Sequence, residues 1–221
     1  RAGDTATATS LSRRQGRGRI ESAAAPAKPV ELDRAAMARV RMLTVLCHRR
    51  WSLPILAELQ KEIRPGGGGG AKFITLANRL KLSRETLRDT LDDLIASDYL
   101  MRNPGVGHPM RPEYLLTEDG HAAAPTAAAL IHLLRARDLE DVALRKWSLP
   151  VLHALSLGHQ RFGQLKIALP GITPRALTLA LKDLLHARLV ERVVTGDYPP
   201  GVRYRPARSA RALNDMLRRL G

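Results

Sequence analysis

The residues best equipped for chemistry are donors, acceptors and one methyl-bearing group spaced along a helix face. Arg175, Thr178, Leu179 and Lys182 fall at i, i+3, i+4 and i+7, with Thr173 and Pro174 just before them. On the outside of a helix in a major groove, Arg or Lys pairs with guanine edges or phosphates, Thr with bases or backbone, and Leu with a thymine methyl. Ser83, Arg84, Glu85, Arg88, Asp89 and Asp92 repeat the spacing with different chemistry. Two arginines stand there among three carboxylates, which a phosphate backbone repels. A solvated helix held by the local pairs Glu85–Arg88 and Arg88–Asp92 competes with DNA reading at this site. Arg203, Arg205 and Arg208 follow the first set, and Arg102, His108 and Arg111 follow the second. Basic groups near hairpins suit phosphate or minor-groove contacts, although charged hairpin tips also serve solubility alone.

Other chemistries find little in the residues. His153 and His159 are six apart, without a cysteine or carboxylate cluster to complete a metal site. No Ser-His-Asp or paired-carboxylate arrangement stands out, so neither an enzyme nor a cofactor is expected. The Gly66–Gly70 run lacks the preceding strand and the Gly-Lys-Ser/Thr ending of a phosphate cradle, and reads as a loop between helices. Cys47 reads as a small core residue. Trp51 and Trp147 read as core residues at helix starts; the competing reading is a pair of aromatics flanking a pseudo-twofold cavity and stacking a flat ligand.

The chain has 221 residues and a net charge of +15, which favours a polyanionic partner such as double-stranded DNA. The charge is uneven: residues 126–221 carry 16 basic and 7 acidic groups, against 14 and 10 in residues 34–125. Arg outnumbers Lys 29 to 7, a composition expected of a high-GC bacterial genome. A single cysteine fits a reducing cytoplasm. No apolar run approaches the roughly 20 residues of a membrane span, and the first residues lack the apolar stretch of a signal peptide.

These candidate surfaces need elements to position them, and the elements come twice. Arg50-Trp51-Ser52-Leu53-Pro54-Ile55-Leu56 recurs as Lys146-Trp147-Ser148-Leu149-Pro150-Val151-Leu152. Leu87, Leu91 and Leu94 answer to Leu177, Leu181 and Leu184, and Tyr114 to Tyr204, a period of about 90 residues that marks a domain-sized repeat. In each copy the apolar spacing predicts three helices, with Ser83 capping the third helix of the first copy. Pro/Gly-rich turns then separate two extended segments. The fold class expected is mainly α with small β-hairpin wings, as two tandem winged helix-turn-helix domains. The boundaries read as a disordered basic tail over 1–33, a first domain over 34–125, a linker helix over 126–145 and a second domain over 146–221. The apolar faces of the linker helix and of a C-terminal helix over 210–220 predict contact between the halves.

Trp147 to Leu152, Gly158 to Leu165, Leu169 to Thr178 and Leu189 to Arg192 together resemble the HxlR-type bacterial transcriptional regulators. Trp51 to Leu56 and Pro112 to Gly120 resemble them too. The resemblance implies winged helix-turn-helix DNA binding and transcriptional control, with members typically homodimeric and carrying one such domain per chain. A chain with two then acts as a pseudo-dimer in a bacterial cytoplasm, at the nucleoid, with room left for homodimerisation and a small-molecule effector. The second copy lacks the family's Glu-Tyr-x-Leu-Thr ending, and the first has the glycine insertion. Some relatives sense oxidants through a cysteine well upstream of the tryptophan; Cys47 lies four residues before Trp51, so redox sensing is not carried over. A tandem scaffold that binds protein without reading bases is the alternative, favoured by the acidic groups at Glu85 and Asp92.

Overall fold

A computed structural model describes residues 34–63, 69–103, 112–196 and 201–220. The expected tail over 1–33, Gly66 to Gly68 and the first hairpin's His108 and Arg111 lie outside the described residues. The first half runs α1 (Arg34–Leu46), α2 (Ser52–Gln60), β1 (Gly70–Lys72), α3 (Phe73–Leu80), α4 (Arg84–Ala96), β2 (Leu100–Asn103), β3 (Glu113–Leu116) and α5 (Glu118–Ala136). The second runs α6 (Glu140–Ala143), α7 (Ser148–Ser156), α8 (Phe162–Ala168), α9 (Pro174–His186), β4 (Val190–Val194), β5 (Val202–Pro206), a 3-10 turn (Arg208–Ala210) and α10 (Arg211–Leu220). The protein is thus mainly helical with small antiparallel sheets.

Helices α4 and α9 form for the same local reasons. The Ser83 hydroxyl accepts from the Thr86 N–H at 3.2 Å, and the Thr173 hydroxyl accepts from the Ala176 N–H at 3.1 Å. Pro174 fits the first turn, where no helical donor is needed. Leu87, Leu91 and Leu94 are buried along one stripe of α4, and Leu177, Leu181 and Leu184 along the matching stripe of α9. Each such leucine contributes roughly 1.5–3 kcal/mol on leaving water. Both helices close alike: Asp98 and Arg188 turn left-handed, at φ 60° and 56°. The next N–H groups, of Tyr99 and Leu189, return to the Leu94 and Leu184 carbonyls at 2.9 Å.

Two expectations change. The glycine run does not lead straight into a helix, because Gly70 opens β1, which pairs antiparallel with β3 in a sheet ordered β1-β3-β2. Gly70 is required there, since a Cβ would come 2.9 Å from the Tyr114 carbonyl oxygen. The second sheet has only β4 and β5, but the Tyr204 N–H donates to the Gln160 carbonyl at 2.7 Å, where β1 lies opposite Tyr114 in the first half. The long connecting helix also spans 118–136 rather than 126–145. Thr117 caps it by accepting from the Gly120 N–H at 3.1 Å, and Glu118 and Asp119 suit the positive end of its dipole. Pro125 lies inside the helix, at the cost of one helical hydrogen bond. The helix stops where Asp138 turns left-handed and the Leu139 N–H returns to the Leu134 carbonyl.

All elements from α1 to α10 belong to one compact unit. Helix α5 packs against α2 and against α10; Leu130, Ile131 and Leu134 of α5 and Leu213, Leu217 and Leu220 of α10 are all buried. Helix α1 packs across on α7 and α10, a contact the sequence does not predict. No helix among the described residues is long and apolar enough to cross a membrane.

Candidate nucleic-acid interface

On α9 the structure brings Thr173, Pro174, Arg175, Thr178, Leu179 and Lys182 together as exposed residues. Leu179 is 54% exposed although its neighbours Leu177 and Leu181 are buried. Thr173 spends its oxygen on the cap, and Thr178 donates its hydroxyl to the Pro174 carbonyl at 2.9 Å. Arg175 and Lys182 have no ion-pair partner among the described residues. Their charges are therefore available to an external anion.

Helix α4 differs. Ser83, Arg84, Glu85, Arg88 and Asp92 are exposed, but the pairs expected between Arg88 and Glu85 or Asp92 do not form among the described residues. The carboxylates that do pair, Asp89 and Asp93, turn to Arg49 at 3.4 and 2.7 Å. Asp183 of α9 is held in the same way by Arg145, at 2.5 Å. Beside α4, Lys72, Arg84, Arg88 and Arg102 share a cleft of about 650 Å³ with Asp92 and the ring of Tyr114. The Tyr114 hydroxyl is pushed up by burial, and it feels Arg102, Asp92 and Arg88 in that order of influence. Four cations and one carboxylate thus line the cleft between the helix and the strands. Lys72 was hidden in the sequence because β1, which places it, is set by pairing with β3.

The wings are partly self-occupied. Arg205 lies opposite Glu191 and bonds it at 2.8 Å, yet stays 62% exposed. Such a pair is worth about 0–1 kcal/mol and exchanges readily for a phosphate. Arg203 is half-buried on the same strand, and Arg192, exposed on β4 opposite Tyr204, lies on the other face of the sheet. Arg208 is not on the wing: it sits in the 3-10 turn and borders a shallow cleft with Arg137 and Arg211. Arg102 is exposed on β2.

Trp51 and Trp147 are half-buried, each with its preceding residue over the ring: the Arg50 guanidinium at 5.7 Å and the Lys146 ammonium at 5.4 Å from the centroids. Trp51 borders a cleft with Arg79, Arg135 and Asp141 that Trp147 does not reach. Cys47 is buried, and burial pushes its thiol up to about 12, which holds it protonated and unreactive. Among the described residues, no three His, Cys, Asp or Glu groups come together to hold a metal ion.

Comparison with known proteins adds a family. The model described as HxlR-like helix-turn-helix matches residues 142–221. YvaP of Bacillus subtilis, an uncharacterized HTH-type transcriptional regulator, is 30% identical over 77 residues, 35% of this chain and 71% of that one. This chain belongs to the HxlR-like helix-turn-helix family. Two other relatives with the same description are an HTH-type regulator of Synechocystis sp., 35% identical over 39% of this chain and 64% of its own, and YtcD of Bacillus subtilis, 33% identical over 33% of this chain and 57% of its own. The chain therefore spans less than two thirds of those two relatives. A crystal structure of diamide-treated YodB from B. subtilis is 25% identical and covers 39% of this chain and 83% of that one, with a TM-score of 0.34, too low to bear on the fold. The matched HxlR-like region holds α7, α8, α9 and the β4–β5 hairpin, the elements that carry the basic face.

Proposed function

We propose that this HxlR-like chain is a DNA-binding transcriptional regulator of a bacterial cytoplasm, with two winged helix-turn-helix domains in one polypeptide acting as a pseudo-dimer at the nucleoid. The domains are residues 34–125 and 146–221, joined through the helix that begins at Glu118. The observation that carries the reading is the outer face of α9, where Arg175 and Lys182 stand exposed, without an ion-pair partner among the described residues, beside a basic hairpin. The names of the relatives, all HTH-type transcriptional regulators, support it. The tandem arrangement is supported by matched details in the halves: Arg49 with Asp93 and Arg145 with Asp183, Arg50 over Trp51 and Lys146 over Trp147, and the left-handed Asp98 and Arg188.

A second reading, a protein-binding scaffold, is favoured by one feature, the exposed carboxylates of Glu85 and Asp92. Gel shifts against genomic fragments separate the two. On an operator so found, Arg175→Ala is expected to weaken binding by about 1–3 kcal/mol, the worth of a good base contact. Arg84→Ala should cost less, because three other cations share its cleft. Both side chains are exposed, so melting temperatures should barely move. Equal losses at one salt concentration would show that α4 reads DNA as strongly as α9.

A further inference from the structure

We infer that the DNA element recognised by this chain has two unlike halves, one read by α4 through carboxylates and one read by α9 through cations and a methyl contact. This deepens the function proposed above and rests on it. Counted from their caps, Ser83 and Thr173, the two helices bury leucines at the same positions: Leu87 with Leu177, Leu91 with Leu181 and Leu94 with Leu184. They therefore sit on their domains in the same way. The outward positions all differ. Glu85 stands where Arg175 stands, Arg88 where Thr178 stands, Asp89 where Leu179 stands, and Asp92 where Lys182 stands.

In a symmetric dimer, two copies of one helix require two copies of one half-site. A single chain removes that constraint, and here the two reading faces have become chemically opposite. Glu85 and Asp92 can accept from a cytosine amino group, whereas Arg175 and Lys182 suit guanine acceptors and Leu179 a thymine methyl. A carboxylate near DNA is ordinarily repelled by phosphate. Asp92 shares its cleft with Lys72, Arg84, Arg88 and Arg102, cations that attract the phosphate it repels. Asp89 and Asp93 share the Arg49 guanidinium, which offsets part of their charge.

The experiment is selection from random-sequence duplexes by the full chain, repeated with the triple variant Glu85→Arg, Arg88→Thr, Asp92→Lys. The wild-type chain is expected to enrich two dissimilar half-motifs. Replacing either half by a copy of the other should weaken binding about tenfold or more, as expected for mismatched base pairs. The variant is expected to make the selected halves alike at the bases met by Arg175, Thr178 and Lys182, leaving the Leu179 contact as the remaining difference. Enrichment of two like halves, or of a single half-motif, by the wild-type chain overturns the inference while leaving DNA binding intact. An unchanged selected sequence with a variant of native circular dichroism also overturns it. Should the variant not fold, the wild-type selection decides the matter alone. Failure of the wild-type chain to enrich any duplex overturns the regulatory function together with the inference.

Discussion

Raising salt from about 50 to about 200 mM is expected to weaken DNA binding about a thousandfold. Lys72, Arg84, Arg88 and Arg102 line the cleft beside α4, and Arg175 and Lys182 are exposed on α9. If these side chains release about six condensed counterions, the slope of log K against log salt is about −5, and a fourfold change in salt lowers affinity by about three orders of magnitude. Cations of the second wing steepen the slope further. A protein-binding scaffold would respond far less, because exposed ion pairs contribute only about 0–1 kcal/mol each. Titrating one fluorescent duplex at several salt concentrations measures the slope. A value shallower than about −2 would mean that few of these cations meet phosphate.

Acidification is expected to destabilise the fold through His153. This side chain is 1% exposed on α7, and neither ring nitrogen has a hydrogen-bond partner among the described residues. Burial, with smaller contributions from Arg39 of α1 and Arg218 of α10, pushes its pKa from 6.5 down to about 4. Between those values the unfolded chain takes up a proton that the folded chain refuses. Stability is full above pH 6.5, falls as pH drops towards 4 and stays low beneath it, a loss of about 3 kcal/mol. His159, 3% exposed and also pushed down by burial, acts in the same direction. His153→Leu should remove most of the loss. It should not weaken the fold at pH 7, because it replaces an unsatisfied buried polar group by an apolar one. Urea unfolding of both proteins at pH 7 and near pH 4.5 makes the comparison. An acid slope unchanged in the variant would assign the effect to other groups.

His153 sits on α7, which packs against α1 and α10, so its protonation would loosen contact between the halves rather than helix α4 or the outer face of α9. The acid effect on stability and the salt effect on binding therefore report different parts of the molecule.

By itself the sequence determined helices α4 and α9. Their caps, Ser83 and Thr173, and their leucines act over a few residues, within one helical turn or two, and α4 and α9 follow those signals. It likewise determined the exposed chemistry of α9, because a residue outside the leucine stripe faces solvent. The tertiary structure alone decided the rest. Strand β1 exists because β3, more than 40 residues away, supplies its partners, and only then does Lys72 join Arg84, Arg88 and Arg102. The carboxylates of α4 have neighbours three and four residues along, yet Asp89 and Asp93 take Arg49, which packing of the preceding helices brings to them. Helix α5 runs through Pro125 because burial of Leu130, Ile131 and Leu134 against α2 and α10 outweighs one missing hydrogen bond. Caps and periodicity are local and can be read along the chain; strand pairing, ion-pair choice and the seam between the halves depend on contacts between distant residues, which exist only once the chain has folded.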